Sequence, residues 1–502
     1  MIPNNYRLTI VIATVMIIVG ILLSFKYYNN AQLDEIILQY EEPVNADFAT
    51  IEERGSIRLI TRYSSVSYFL HHGLERGFEY EFLKEFANEY GLRVEVVIPA
   101  EGEDPIDVLN RGDGDVIAQN YSITPKRARF IEFSEPYNLV DQILVLPSHM
   151  EGFYPAVDSL KGLTVSVRRG SSYYYTLREL QKRGVDVNID IVPEHLDTEG
   201  LINAVANGDI EATIADDNLF NAASLYVKGI SQGPALSTRD VIAWGIRQNA
   251  VELKEKMDDF IVSHFRFSEE DGEVKRSMVL NMLRHRYFEN EIMVHRFRSP
   301  VADTKYAGML SPYDALVQPI ADEMGVDWKL IVAIMAQESQ FDPYAESWAG
   351  AVGLMQVLPR FSEIADYELY DEEVNVREGV RILKEHLDHY AYLDSTNQIQ
   401  LALATYNSGM GHIADARRIA IDHNKDPNSW ESVEDGLMKL MHREYYMNAR
   451  YGFARGIETS NYVRDVMNRY RMYDTIVSLA QQQETQKRQG WTFGYTGLSL
   501  RN

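Results

Sequence analysis

The chain has 502 residues, no cysteine and a formal net charge of −25 at pH 7. That length exceeds one ordinary hydrophobic core and calls for two or three domains, and an apolar content of 45% suits a folded protein. The acidity argues against nucleic acid as a partner, because neutralising phosphates takes clustered Lys and Arg, and the missing cysteines remove disulfides, thiolate metal sites and Cys nucleophiles.

In chain order, residues 8–25 (LTIVIATVMIIVGILLSF) form an apolar run between Arg7 and Lys26. Its length of about 18 residues is just enough to span a bilayer. No small-x-small cleavage pattern follows closely, so residues 1–30 read as a membrane anchor with the bulk of the chain outside the cytoplasm; a cleaved signal segment is the alternative. Residues 31–54 are polar and acidic and read as a linker. Over 55–267 the pattern alternates: strands at 57–61, 92–98, 115–118, 142–146, 163–167, 188–192, 211–215 and 241–246, with helices at 78–90, after Gly170 and at 201–206. This predicts an α/β domain with a parallel sheet, divided into two lobes. Strand signals then nearly vanish. Residues 268–302 read as a helical linker, 303–475 as an all-helical domain and 476–502 as a polar tail.

Within the helical domain, the segment 328–359 (WKLIVAIMAQESQFDPYAESWAGAVGLMQVLP) carries the chemistry. Ile331, Ile334 and Met335 stand seven, four and three residues before Glu338, so the carboxyl shares the apolar face of a helix. Burial disfavours the charged form of such a group and raises its pKa, which is what a general acid working near neutrality requires. Pro343 is expected to end the helix, and the small residues around Ser347, Gly350 and Gly353 allow tight turns beside a groove. Two further blocks follow, ALATYNSG with Tyr406 and Asn407, and ETSNYVRDV with Glu458, Thr459 and Tyr462.

These three blocks, in this order and spacing, resemble the catalytic domain of soluble-lytic-transglycosylase-type enzymes, a lysozyme-like family, over about residues 312–473. The resemblance implies peptidoglycan glycan strands as substrate, Glu338 as the catalytic acid and base, and Ser347, Met355, Gln356, Tyr406, Asn407 and Glu458 along the substrate groove. It implies no cofactor and no metal. A single carboxylate suffices in that family because the substrate supplies its own nucleophile. On residue type alone Tyr406 is more readily a core residue than a catalytic one, and only its block context changes that; Glu458 is more readily a structural partner than a reacting group. His386 and His389 lack a third ligand and read as a solvated helix face.

In the two-lobed region, GFEYE at 77–81, NYSITPKRARFIEFSEPY at 120–137, LKGLTVSVRRGSS at 160–172 and ATIADD at 212–217 are similar to periplasmic solute-binding proteins for amino acids. That similarity implies Arg127 for a ligand carboxylate, Ser122 and Ser171 or Ser172 for polar contacts from the two lobes, and Asp216 for an amine. Glu79 departs from the aspartate common in that family. The expected fold is therefore multidomain, a two-lobed periplasmic-binding-protein-like α/β domain followed by an all-α lysozyme-like domain. The resemblance implies a Gram-negative periplasm and association with the outer membrane, although the apolar run would equally serve an inner-membrane anchor. A wall-derived peptide or amino acid in the first domain is the expected regulator. The rival readings are a hydrolytic goose-type lysozyme-like muramidase and a non-catalytic sensor that binds solute or glycan.

Overall fold

The computed structural model describes residues 40–488, apart from 101, 195, 269–272, 298–307 and 363. The apolar run at 8–25 and residues 489–502 lie outside the described residues, and among those described no helix is long and apolar enough to cross a membrane.

The first lobe contains β1 (Ser56–Ile60), a hairpin of β2 (Phe69–His71) and β3 (Leu74–Arg76), β4 (Arg93–Val97), β5 (Val116–Ile117) and β6 (Glu132–Phe133). The second lobe contains β7 (Asn138–Pro147), β8 (Thr164–Arg168), β9 (Asn188–Val192), β10 (Thr213–Asp216) and β11 (Ile230–Ile242), after which β12 (Gly245–Ile246) returns to the first. In lobe 1 the sheet order is β4-β1-β5-β12-β6. The β1 pairings to β4 and β5 are parallel, as the alternating pattern predicts, and Ile57, Leu59 and Ile60 are buried between flanking layers. The returning strand β12 runs antiparallel to both β5 and β6, so the sheet is mixed rather than parallel. Lobe 2 is mixed as well: β7 pairs antiparallel with β10 and β11, while β8 and β9 are parallel. A chain that crosses between lobes twice must bring strands back from the opposite direction, and strand periodicity alone does not carry that information.

The region expected to be a helical linker begins with a strand pair, β13 (Phe265–Phe267) and β14 (Val274–Arg276). It continues as helix Met278–Arg284 and buries Leu280, Leu283, Tyr287 and Phe288. The all-helical domain follows, and its last helix, Gly456–Arg488, runs well past the expected start of the polar tail, with Ile476 still buried.

One apolar core runs unbroken from lobe 1 into the helical domain, from Phe48 and Phe82 to Val463 and Tyr473. Lobe 2 instead packs two separate clusters on the two faces of its own sheet. Polar contacts reinforce the first union: Arg93 Nη1 donates to both carboxylate oxygens of Asp465 at 2.5 and 2.6 Å, Asn468 donates to Glu95 at 2.9 Å, and the Tyr68 hydroxyl donates to Met472 Sδ at 2.8 Å. Lobe 1 and the helical domain thus share a core, whereas lobe 2 is tied to them through the β7 and β11 crossings and through helix Asp217–Ser224, whose Ala222 joins that core.

Candidate active site and interlobe cleft

Helix Trp328–Glu338 starts at Asp327, whose side chain accepts from Lys329 N at 2.9 Å. Leu330 to Ala336 are all buried, so this helix is apolar around its whole circumference and passes through the middle of the domain. It stops at Glu338, ahead of Pro343, because Gln340 and Phe341 adopt φ of 52° and 66° and turn the chain away. Ser339 secures the end: its hydroxyl donates to Leu354 O at 2.9 Å and to Met335 O at 3.1 Å. The carboxyl is therefore held where the helix reaches the groove.

Glu338 is half-buried and accepts one hydrogen bond, from the Tyr462 hydroxyl to Oε1 at 2.7 Å. Burial pushes its pKa up to about 7, against the smaller downward pull of Tyr462. No other carboxylate among the described residues weighs on it. Tyr406 stands near both Glu338 and Tyr462. Its hydroxyl donates to Met355 O at 2.8 Å, and its own pKa is driven far up by burial and then by the charge of Glu338. Met355 is buried over Gly379, where any Cβ would overlap it, and its N–H donates to Asn375 Oδ1 at 2.8 Å. Asn375 also donates to Val352 O and Leu369 O at 2.9 and 2.8 Å, so one buried amide pins the groove loop. Gln356, at φ 47°, donates to Ala345 O and Gly353 O and braces the same loop.

The remaining groove residues expected from the sequence stand in a different relation to Glu338. The Ser347 hydroxyl accepts from Ala351 N at 3.0 Å within its own turn. Asn407 is exposed and accepts from the Thr459 hydroxyl at 2.9 Å. Glu458 is exposed and pairs with Arg455 at 3.3 Å. Among the described residues no hydrogen bond joins any of these three to Glu338. Sequence reasoning gave no role to Tyr462, although it sits in the closing block, and passed over Asn375, which no motif marks. Trp348, 84% exposed with Arg455 stacked on its ring at 4.9 Å, and Tyr344, 75% exposed, leave aromatic faces on the groove loop.

Between the lobes, Ser122, Arg127, Ser171, Ser172 and Asp216 line one cavity that opens to solvent. Arg127 stacks on Tyr121 at 3.8 Å and spans the cleft, donating to Ser122 O at 2.7 Å and to Gly170 O of lobe 2 at 3.2 Å. The Ser122 and Ser172 hydroxyls meet across the cleft at 3.4 Å. Ser171 caps helix Ser172–Lys182, accepting from Tyr174 N at 3.4 Å. Asp216 is 1% exposed, accepts from Asn120 Nδ2 through one oxygen and has no partner on the other. Burial, then Asp240 and Asp217, push it up to about 8. Glu79 stands behind the cleft, where Oε1 accepts from Asn120 N and the Tyr137 hydroxyl at 2.8 and 2.7 Å.

With this geometry the comparisons with known proteins agree. Residues 315–429 match the transglycosylase SLT domain, and residues 57–276 match the bacterial extracellular solute-binding proteins, family 3. A Desulfosudis oleivorans protein named membrane-bound lytic murein transglycosylase F is 30% identical over 473 residues, covering 92% of this chain and 97% of that one. The chain belongs to the membrane-bound lytic murein transglycosylase F family. An Idiomarina loihiensis protein of the same name is 27% identical over 437 residues, covering 86% of this chain and 92% of its own length. Among solved structures, the amino acid ABC transporter substrate-binding protein AbpA from Streptococcus pneumoniae aligns with 50% of this chain and 99% of its own, at 19% identity and a TM-score of 0.41. The protein is thus a lytic transglycosylase acting on peptidoglycan, in which a solute-binding domain precedes an SLT domain.

Proposed function

We propose that Glu338 serves first as acid and then as base in non-hydrolytic cleavage of the β-1,4 bond between N-acetylmuramic acid and N-acetylglucosamine. The observation that carries this is one carboxyl with a pKa near 7, hydrogen-bonded by Tyr462 and, among the described residues, without a second carboxylate acting on it. Glycosidases that use water employ two carboxylates. Here the protonated Glu338 gives its proton to the bridging oxygen as the bond from C1 to that oxygen breaks. The muramic acid acetamido group shields the cation that develops at C1. The Glu338 carboxylate then takes the proton of the C6 hydroxyl of the same sugar as O6 bonds to C1. The product ends in a 1,6-anhydro ring, and the carboxyl returns to its starting state. Tyr462 and Tyr406 position the reacting groups, and Met355 with Gln356 shapes the groove floor. Exposed Trp348 and Tyr344 offer faces to sugar rings.

The reading includes a regulatory ligand in the interlobe cleft, a wall-derived peptide or amino acid held by Arg127, Ser122, Ser171, Ser172 and Asp216. A contact path supports it: the cleft-lining loop at 64–67 continues into the β2–β3 hairpin, and Gly73 in that hairpin abuts the Phe341 ring, three residues after Glu338. The reading also includes attachment to the periplasmic side of a membrane through residues 8–25.

The test uses purified sacculi, the full-length protein and its Glu338→Gln variant, with soluble products read by mass spectrometry. Products lighter by one water than hydrolytic muropeptides, absent with the variant, are the expected result. Reducing-end products would instead make the enzyme a hydrolase, and unchanged products from the variant would remove Glu338 from the chemistry.

A further inference from the structure

The interlobe cleft holds more guanidinium than one carboxylate needs. Apart from Arg127, two arginines line it from opposite lobes: Arg62, just beyond β1, and Arg168, the last residue of β8. Arg62 Nη1 donates to the Glu194 carbonyl at 3.1 Å, and Arg168 Nη2 donates to the Thr198 hydroxyl at 3.4 Å. Arg168 Nε is buried and has no partner. Among the described residues neither guanidinium forms an ion pair within 4 Å, although Glu194 and Asp197 stand near enough to offset part of the Arg62 charge, and Asp197 acts on Arg168 as well. Asp197 accepts from Gly200 N at 2.7 Å as a helix cap, Glu194 accepts from Gly170 N at 2.8 Å, and Glu199 accepts from the Ser65 and Tyr226 hydroxyls.

Arg62 and Arg168 stand as like charges on opposing lobes, and Glu194 and Asp197 offset only part of their repulsion. Burial and then the charge of Arg168 lower the Arg62 pKa to about 10, while Glu194 and Asp197 oppose that shift. An anion between the two guanidinium groups would satisfy the unpartnered Nε and turn the repulsion into a clamp. Arg127 and Asp216 meanwhile supply complementary groups for a carboxylate and an amine.

We infer that Arg62 and Arg168 form a second anion subsite in the cleft, so that its ligand is an amino acid or short peptide carrying a second carboxylate. The inference rests on the reading of this cleft as a ligand-binding site. It goes beyond that reading by fixing the charge of the ligand's side chain: acidic ligands are selected, and neutral or cationic ones are not.

Calorimetric titration of the full-length protein with glutamate and glutamine, each in L and D form and as the alanyl dipeptide, separates the two claims. The acidic member of the best-bound pair is expected to bind about tenfold more tightly than its amide. Arg168→Gln should abolish that preference while leaving the affinity for the amide within about twofold, and Arg62→Gln should do the same from the other lobe. Equal affinity for acid and amide in the unsubstituted protein, which needs no variant to fold, would overturn the second subsite and leave the binding cleft standing. A preference that survives both substitutions would also overturn it. Absence of binding for every probe would overturn the ligand-binding reading and the inference together.

Discussion

Glu338, half-buried, and Asp216, fully buried, are both carboxyl groups pushed above their usual range, to about 7 and about 8, with desolvation the first cause in each. Their surroundings differ. Glu338 ends a helix buried on every side, in a domain that shares one core with lobe 1, and takes a single hydrogen bond from Tyr462. Asp216 ends a strand in lobe 2, faces a solvent-connected cavity, and has Asn120 of lobe 1 and further carboxylates nearby. A raised pKa therefore does not distinguish a proton-transfer group from an ion-pairing group. Rigid support and the absence of competing charge suit Glu338 to donate a proton. A partner lobe across an open cleft and nearby guanidinium groups suit the Asp216 region to hold a charged ligand.

The largest expected effect tests the catalytic half of that contrast. Glu338→Gln should lower turnover on sacculi by about 10²–10⁴-fold. Its stability should change in the opposite direction. The folded protein holds the Glu338 proton up to about pH 7, whereas the unfolded chain releases it near 4.5, so the folded state loses stability as pH rises through that window. The variant should then melt higher than the parent at pH 8 and about equally at pH 4; the same difference at both pH values would contradict a buried charge.

Next comes Tyr462→Phe. Its hydroxyl pulls the Glu338 pKa down, so removing it should raise that pKa and move the alkaline limb of the pH–rate profile upward, with turnover reduced about tenfold. A fall in rate with an unmoved profile would reduce Tyr462 to packing.

Smaller effects address the junction between domains. Gly73 has φ +79°, and a Cβ there would overlap Phe341; Gly91 has φ +65° with open space around it. Gly91→Ala should cost about 1 kcal/mol of backbone strain. Gly73→Ala should cost about 1–3 kcal/mol more, because the Phe341 ring must move. Denaturant unfolding measures both, and equal costs would mean that the hairpin does not press on the end of the Glu338 helix. The smallest effect belongs to Glu458→Gln, expected to change turnover by less than about twofold, since this exposed carboxylate pairs only with Arg455 among the described residues.

Much of this was legible in the residues themselves. Helical spacing put Glu338 among apolar neighbours, strand alternation marked β1, β4, β8 and β9 within a residue or two of their ends, and the quoted blocks named five of the side chains that line the cleft. Local periodicity and short motifs encode such features because each depends on residues a few positions apart. Only the tertiary structure decided the rest. Tyr462 reaches Glu338 across 124 positions of sequence, Arg62 and Arg168 come together from separate lobes, and Asn375 closes on a groove loop that precedes it in the chain. It also gave Ser347 and Glu458 local partners in Ala351 and Arg455 and joined lobe 1 to the helical domain in a single core. These outcomes follow from packing between distant segments, where the partner of a polar group is set by which surfaces must be buried together.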